Sequence, residues 1–243
     1  MSGFFFTPMI PKQAQMIVAS TSTLHGEAYL AYLDAELVRL WEGVDTVLFV
    51  PFARPGGMSH QANTDKVGEA LARIGKKTVG LHEFDEPQQA ILEAQAIFVG
   101  GGNTFVLVNT LCQLQLWEPL RQAIAQGTPY LGCSAGSNIT GLSVHTTNDM
   151  PIVHPPSLEA LGILPFCINP HYLDPQPGST HMGETRETRI REFHTQHATP
   201  VLGLREGSWL SISQGQAQLC GPWTARWFEP EQPAVEQPSG TIF

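Results

Sequence analysis

The sequence predicts an α/β protein with a mostly parallel central sheet, helices on both of its faces and a C-terminal β-hairpin. Three observations carry that expectation. Short, near-continuous apolar or β-branched runs alternate with helical stretches through the first half of the chain, as parallel strands covered on both faces do. Glycine-rich turns stand between strand and helix at residues 100–104 and 132–136, the carboxyl ends where such sheets bind ligands. The 243 residues are 42% hydrophobic and 14% charged, an ordinary composition for one substantial core.

Taken in order, residues 15–20 (QMIVAS) read as a buried strand. Residues 26–41 read as an amphipathic helix, with Leu30, Leu33, Leu37 and Leu40 at three- and four-residue spacing. Strands follow at 46–51, 77–81 and 96–99, with helices at about 61–74 and 87–94 between them. Helices at 103–112 and 119–126 then precede a strand at 129–133. The second half is less regular. A short strand at 166–168 runs into Asn169-Pro170-His171-Tyr172, and residues 183–194 (GETRETRIREFH) read as a helix in which Glu187 precedes Arg191 by one turn. A buried strand at 201–204 leads to Glu206, and strands at 209–213 and 216–220 form a hairpin through Gln214-Gly215. A Pro-rich tail begins at Pro222. Residues 1–14 thus read as an extension, in which Phe4, Phe5 and Phe6 can pack on the body or on a partner, and residues 15–243 as one α/β domain.

A net charge of -9 with 13 scattered Lys and Arg residues argues against nucleic acid and anionic membrane surfaces, which need clustered cations. Cys112, Cys133, Cys167 and Cys220 fall at no metal-ligand spacing and read as reduced, mostly buried thiols. The apolar N-terminus lacks a basic leading region, is broken by Pro8 and Pro11, and is followed by no small-residue cleavage site. No stretch approaches the roughly 20 apolar residues of a membrane span. The expectation is a cytoplasmic protein, monomer or homodimer, with no nucleic-acid or membrane partner and no metal or cofactor.

The chemistry centres on residues 129–140 (PYLGCSAGSNIT), where an apolar run meets Gly132-Cys133-Ser134-Ala135-Gly136 and then a helix-compatible segment. That is the strand–turn–helix context of a nucleophile elbow, and it makes Ser134 the candidate nucleophile. Small flanking residues are needed because the serine occupies a strained backbone conformation. Cys133 lies one position off the apex and reads as packing. The turn Gly100-Gly101-Gly102-Asn103-Thr104 fits neither the dinucleotide nor the phosphate-loop pattern. Its amides suit an oxyanion or a phosphate, while Asn103 and Thr104 either cap the helix or reach substrate. His171, just past a strand end, is placed to act as a base for Ser134.

Together, residues 100–105 (GGGNTF), 132–138 (GCSAGSN), 146–153 (TTNDMPIV), 168–171 (INPH), 183–187 (GETRE) and 203–209 (GLREGSW) resemble the peptidase E family of α-aspartyl dipeptidases. The similarity runs from about residue 15 to 228. It implies a class I glutamine amidotransferase-like, flavodoxin-like sandwich and a serine hydrolase that removes N-terminal aspartate from small acidic dipeptides. Carried over by position, it implies a triad of Ser134, His171 and Glu206, and an oxyanion hole from the amides of Gly102 and Ala135. It further implies that Arg186 binds the substrate's β-carboxylate through two parallel donors. Asp149 competes with Glu206 as the carboxylate behind His171, or binds the substrate's amine, or serves a turn. The segment 173–182, with Asp174 and His181, departs from the family pattern. A cyanophycinase-like or other serine hydrolase of the same superfamily is the alternative, and a non-catalytic binding protein a more distant one.

Overall fold

The computed structural model describes residues 9–175, 178, 180 and 182–243; Phe4, Phe5, Phe6 and His181 lie outside them. In chain order the strands are β1 (Met16–Ala19), β2 (Thr46–Val50), β3 (Lys77–Gly80), β4 (Ile97–Val99), β5 (Tyr130–Cys133), β6 (Cys167–Pro170), β7 (Val201–Leu204), β8 (Trp209–Ser213), β9 (Gln216–Cys220), β10 (Ala225–Phe228) and β11 (Val235–Gln237). The α-helices are α1 (Asp34–Leu40), α2 (His60–Ala72), α3 (Pro87–Leu92), α4 (Thr104–Gln113), α5 (Trp117–Ala125), α6 (Ala135–Asn138) and α7 (Arg186–His194).

The central sheet has the order β3-β2-β4-β5-β1-β8-β9. Its first five strands are parallel, and the β8–β9 hairpin joins antiparallel beside β1. Gln214 and Gly215 both take positive φ, as a two-residue hairpin turn requires. Successive side chains of a strand point to opposite faces, and the apolar runs use both. Ile17 and Ala19 pack with Leu37, Trp41, Val67 and Leu71 on the α1–α2 side. Met16 and Val18 pack with Leu107, Leu111, Leu120 and Ile124 on the α4–α5 side. Truncating a fully buried anchor such as Phe98 to alanine would cost about 3–5 kcal/mol.

A second sheet, order β11-β10-β7-β6, pairs β6 and β7 in parallel and β10 antiparallel to both its neighbours. Ile190 of α7 packs there against Cys167, Tyr172, Val201 and Phe228. Ile168, Leu202, Leu204 and Ala225 continue the α4–α5 side core into this sheet. The ends of β6 and β7 are thereby brought toward the ends of β1 and β5.

Four details differ from the sequence reading. The helix expected over 26–41 begins only after Leu30, whose φ of 62° is incompatible with a right-handed helix and is preceded by turns. Helix α7 starts at Arg186 because Thr185 caps it, accepting from the Thr188 amide at 3.1 Å. The stretch read as an extension already joins the core, with Ile10 and Ala14 buried. The Pro-rich tail contains β10 and β11, strands of four and three residues too short and too polar at the outer edge to show a period of two.

Candidate active site

Ser134 sits between β5 and α6 with φ 55° and ψ −109°, a region non-glycine residues avoid at a cost of about 1–3 kcal/mol. The surroundings impose that conformation. A Cβ on Gly136 would overlap the Val99 carbonyl, and one on Gly132 would overlap the Gly136 carbonyl, so helix and sheet meet backbone to backbone. Tyr130 donates its hydroxyl to the Gly136 carbonyl at 2.7 Å, and the buried Ser137 hydroxyl is 2.6 Å from the Ala19 carbonyl and 2.8 Å from that of Gly132. The neighbouring Cys133 is fully buried, and burial pushes its thiol well above the usual range. A thiolate nucleophile at that position is therefore disfavoured.

His171 also has positive φ, 54°, at the end of β6. Its Nε2 lies 2.9 Å from Ser134 Oγ and its Nδ1 lies 2.6 Å from Glu206 Oε1. Glu206 follows β7. A hydroxyl, an imidazole and a carboxylate in this order can pass the serine proton to the ring while the carboxylate steadies the resulting cation. The backbone beneath them is tied by Ser20, at the end of β1. Its hydroxyl donates to the Leu204 carbonyl at 2.7 Å and accepts from the His171 amide at 2.8 Å. Asn138 of α6 donates to the Ile168 carbonyl at 2.8 Å, linking the elbow to the His171 strand.

The turn at residues 100–104 abuts the serine, since a Cβ on Gly101 would lie 3.0 Å from Ser134 Cβ. Gly102 has φ 149° and rests against the Ala53 carbonyl, where any side chain would collide. The amides of Gly102 and Ala135 have no backbone partner among the described residues, and Ala135 opens α6. Such unengaged amides beside a serine can receive an oxyanion.

Arg186 is the first residue of α7 and lines an open cleft with His171, Leu173, Asp174, Glu206 and Trp223. Burial and the nearby Arg189 push its guanidinium below the ordinary value, while Asp149 pulls it back up. Among the described residues Arg186 makes no ion pair, whereas Arg189, Arg191, Arg205 and Arg226 each hold a carboxylate. Asp149 makes no hydrogen bond to His171. Its Oδ2 accepts from the Thr104 amide at 2.7 Å and the Thr147 hydroxyl at 3.0 Å. Asn103 caps α4, accepting from the Val106 amide at 3.1 Å, and donates to the Met150 carbonyl at 2.9 Å. Thr104 is buried, with its hydroxyl 3.1 Å from that of Thr147. Asn103 and Thr104 thus fasten the Asp149 loop to the start of α4.

Sequence reasoning brought Ser134, His171 and Glu206 to the site but missed Ser20 and Arg205. A polar residue closing the buried run 15–20 was the available signal for Ser20. Arg205, adjacent to Glu206, carried none, because its partners come from residues 174, 224 and 236. Among the described residues no cluster of three or more His, Cys, Asp or Glu side chains is arranged to hold a metal ion. No helix among them is long and apolar enough to cross a membrane.

A doubly covered α/β sheet, a serine on a strained elbow and a histidine–carboxylate pair within hydrogen-bond reach define a serine hydrolase class. The chain belongs to Peptidase family S51, whose family model matches residues 16–220. It is 48% identical over 217 residues to a probable alpha-aspartyl dipeptidase of Drosophila melanogaster, covering 88% of this chain and 89% of that one. It is also 48% identical over 213 residues to a peptidase E of Streptomyces coelicolor, covering 88% and 86%. In fold it is similar to the crystal structure of a peptidase from an acI-B1 Actinobacterium, with a TM-score of 0.70 at 18% identity over 99% of both chains.

Proposed function

We propose that this member of the S51 peptidases is a serine dipeptidase that cleaves Asp-Xaa dipeptides bearing a free N-terminal aspartate. The observation that carries the reading is the Ser134–His171–Glu206 chain of contacts beside Arg186, which among the described residues makes no ion pair. His171 takes the Ser134 proton as Oγ attacks the peptide carbonyl, then delivers it to the departing amine; water, activated by the same ring, releases aspartate from the acyl-enzyme. The Gly102 and Ala135 amides hold the oxyanion. Arg186 takes the β-carboxylate, and Asp149, with Oδ2 engaged by Thr104 and Thr147, offers its other oxygen to the substrate ammonium. Asn103 and Thr104 serve binding by holding that loop. Nucleophile, base and acid all come from the chain, so the reaction needs no metal or cofactor. The proposal places the enzyme in the cytoplasm, acting as monomer or homodimer, without nucleic-acid or membrane partners.

Hydrolysis of Asp-Leu, Glu-Leu, Asn-Leu, Ala-Leu and N-acetyl-Asp-Leu by the parent and by Ser134→Ala, with chelator present, tests the reading. Asp-Leu is expected to be cleaved far faster than Asn-Leu, with the rate falling by about 10⁵- to 10⁶-fold in Ser134→Ala. Activity that survives loss of Ser134, or indifference to the aspartate carboxylate, would overturn it.

A further inference from the structure

The family match ends at residue 220, yet the contacts that reach the His171 and Glu206 loops continue past it. Arg205 stands one residue before Glu206 and its side chain is only 17% exposed. The guanidinium Nε donates to Asp174 Oδ2 at 2.8 Å, and a terminal nitrogen lies 2.7 Å from the same oxygen. Both terminal nitrogens also bind Glu236 of β11 at 2.9 Å, and one of them reaches the carbonyl and hydroxyl of Thr224 at 2.8 Å. The cation lies 5.6 Å from the ring centre of Tyr172. Tyr172 and Asp174 are one and three residues beyond His171. A single side chain therefore joins the segment carrying His171, the residue preceding Glu206, and the β10–β11 hairpin.

We propose that Arg205 is a positioning residue, which with Glu236 makes the C-terminal hairpin the buttress that holds His171 and Glu206 in register. This rests on the Ser134–His171–Glu206 reading above. The need for a buttress follows from exposure. The His171 and Glu206 side chains are 35% and 53% exposed, so packing alone does little to fix their 2.6 Å contact. Orientation must then come from the backbone beneath them. Ser20 ties the end of β7 and the His171 amide on the sheet side. Arg205 ties the segment beyond His171 to the β10–β11 hairpin, where a planar fork can hold two carboxylates at once and a lysine ammonium cannot reproduce the geometry. The Arg205 hydrogen bonds hold the Glu236 carboxyl down to about 2, so the clamp is fully charged at neutral pH.

Steady-state kinetics on Asp-Leu with the full-length parent, Arg205→Ala, Arg205→Lys and Glu236→Gln test the proposal, each variant being checked by circular dichroism and thermal melting. The parent must cleave and Ser134→Ala must not, which separates failure of the triad reading from failure of this one. In folded Arg205→Ala, kcat is expected to fall about 10- to 100-fold with KM changed by less than about threefold, since small misplacement of reacting groups acts on the chemical step. Arg205→Lys should recover part of that loss, and Glu236→Gln should show a smaller fall in kcat alone. A folded Arg205→Ala with parental kcat, or with a loss confined to KM, would overturn the proposal. Should Arg205→Ala not fold, Glu236→Gln decides: parental kcat in that folded variant overturns the buttress, and a selective loss of kcat supports it.

Discussion

The Ser134 elbow and the charged wall that carries Arg186 and Arg205 meet at His171, and different forces build them. At the elbow, glycines let helix and sheet backbones touch, and short hydrogen bonds from Tyr130 and Ser137 finish the job without an ionised group. Along the wall, Arg205, Arg226, Asp174, Glu187 and Glu236 are linked by ion pairs at 2.7–3.1 Å. Steric constraint is local in sequence and insensitive to salt. Charge pairing is assembled from distant segments and is weakened by screening and by acid. Ser134 is thus held by the part of the molecule that tolerates least change, while Arg186 stands in the part that depends most on conditions.

Apart from loss of Ser134 itself, the largest expected effect lies where the two regions meet. Glu206→Gln removes the charge behind His171 while keeping its shape, and should lower kcat about 10²- to 10⁴-fold with little change in KM. Asp149→Asn, on the loop bound to Thr104 and Thr147, should instead act mainly by raising KM for substrates with a free amine. Kinetics of both variants on Asp-Leu would distinguish the roles. The reverse pattern would move the orienting carboxylate from Glu206 to Asp149.

The same contrast explains what the sequence disclosed. The elbow is legible because its constraint is written within five residues, 132–136, and the covered sheet because β1, β2, β4 and β5 are apolar on both faces. The sequence leaves the choice between Glu206 and Asp149 open, since neither position is tied to His171 by spacing and only the folded chain shows which reaches Nδ1. Ser20 offers only a polar residue closing a buried run, and Arg205 offers no signal, because each acts through partners far away in the chain. The β10–β11 hairpin escaped notice because its short strands are stabilised by Arg205, Arg226 and Glu236 rather than by an apolar period.

A smaller effect is expected from Arg186→Ala. The ratio of kcat/KM for Asp-Leu over Asn-Leu should fall by about 30-fold to a few thousand-fold, since removing one partner of a buried charge pair and leaving the other unpaired costs roughly 2–5 kcal/mol. Because Arg186 supports no ion pair among the described residues, the melting temperature should stay near that of the parent. A variant that kept the full preference for Asp-Leu would remove Arg186 from the carboxylate pocket and leave the charged wall with a structural task only.

The smallest expected effect concerns acid stability, and it separates the two regions by their response to protons. Arg205 holds Glu236 at about 2, below its ordinary value of 4.5. The folded state therefore binds this proton less readily than the unfolded chain does. The ionised group contributes stability that is fully present above about pH 4.5 and is lost as pH falls toward 2. Because Glu236 is 43% exposed, solvent screening should keep the contribution below about 1 kcal/mol. Urea unfolding of the parent and Glu236→Gln through that window should give curves that are separated at neutral pH and converge in acid. A constant separation at every pH would show that Glu236 acts by packing rather than by charge, and would align the wall with the steric logic of the elbow.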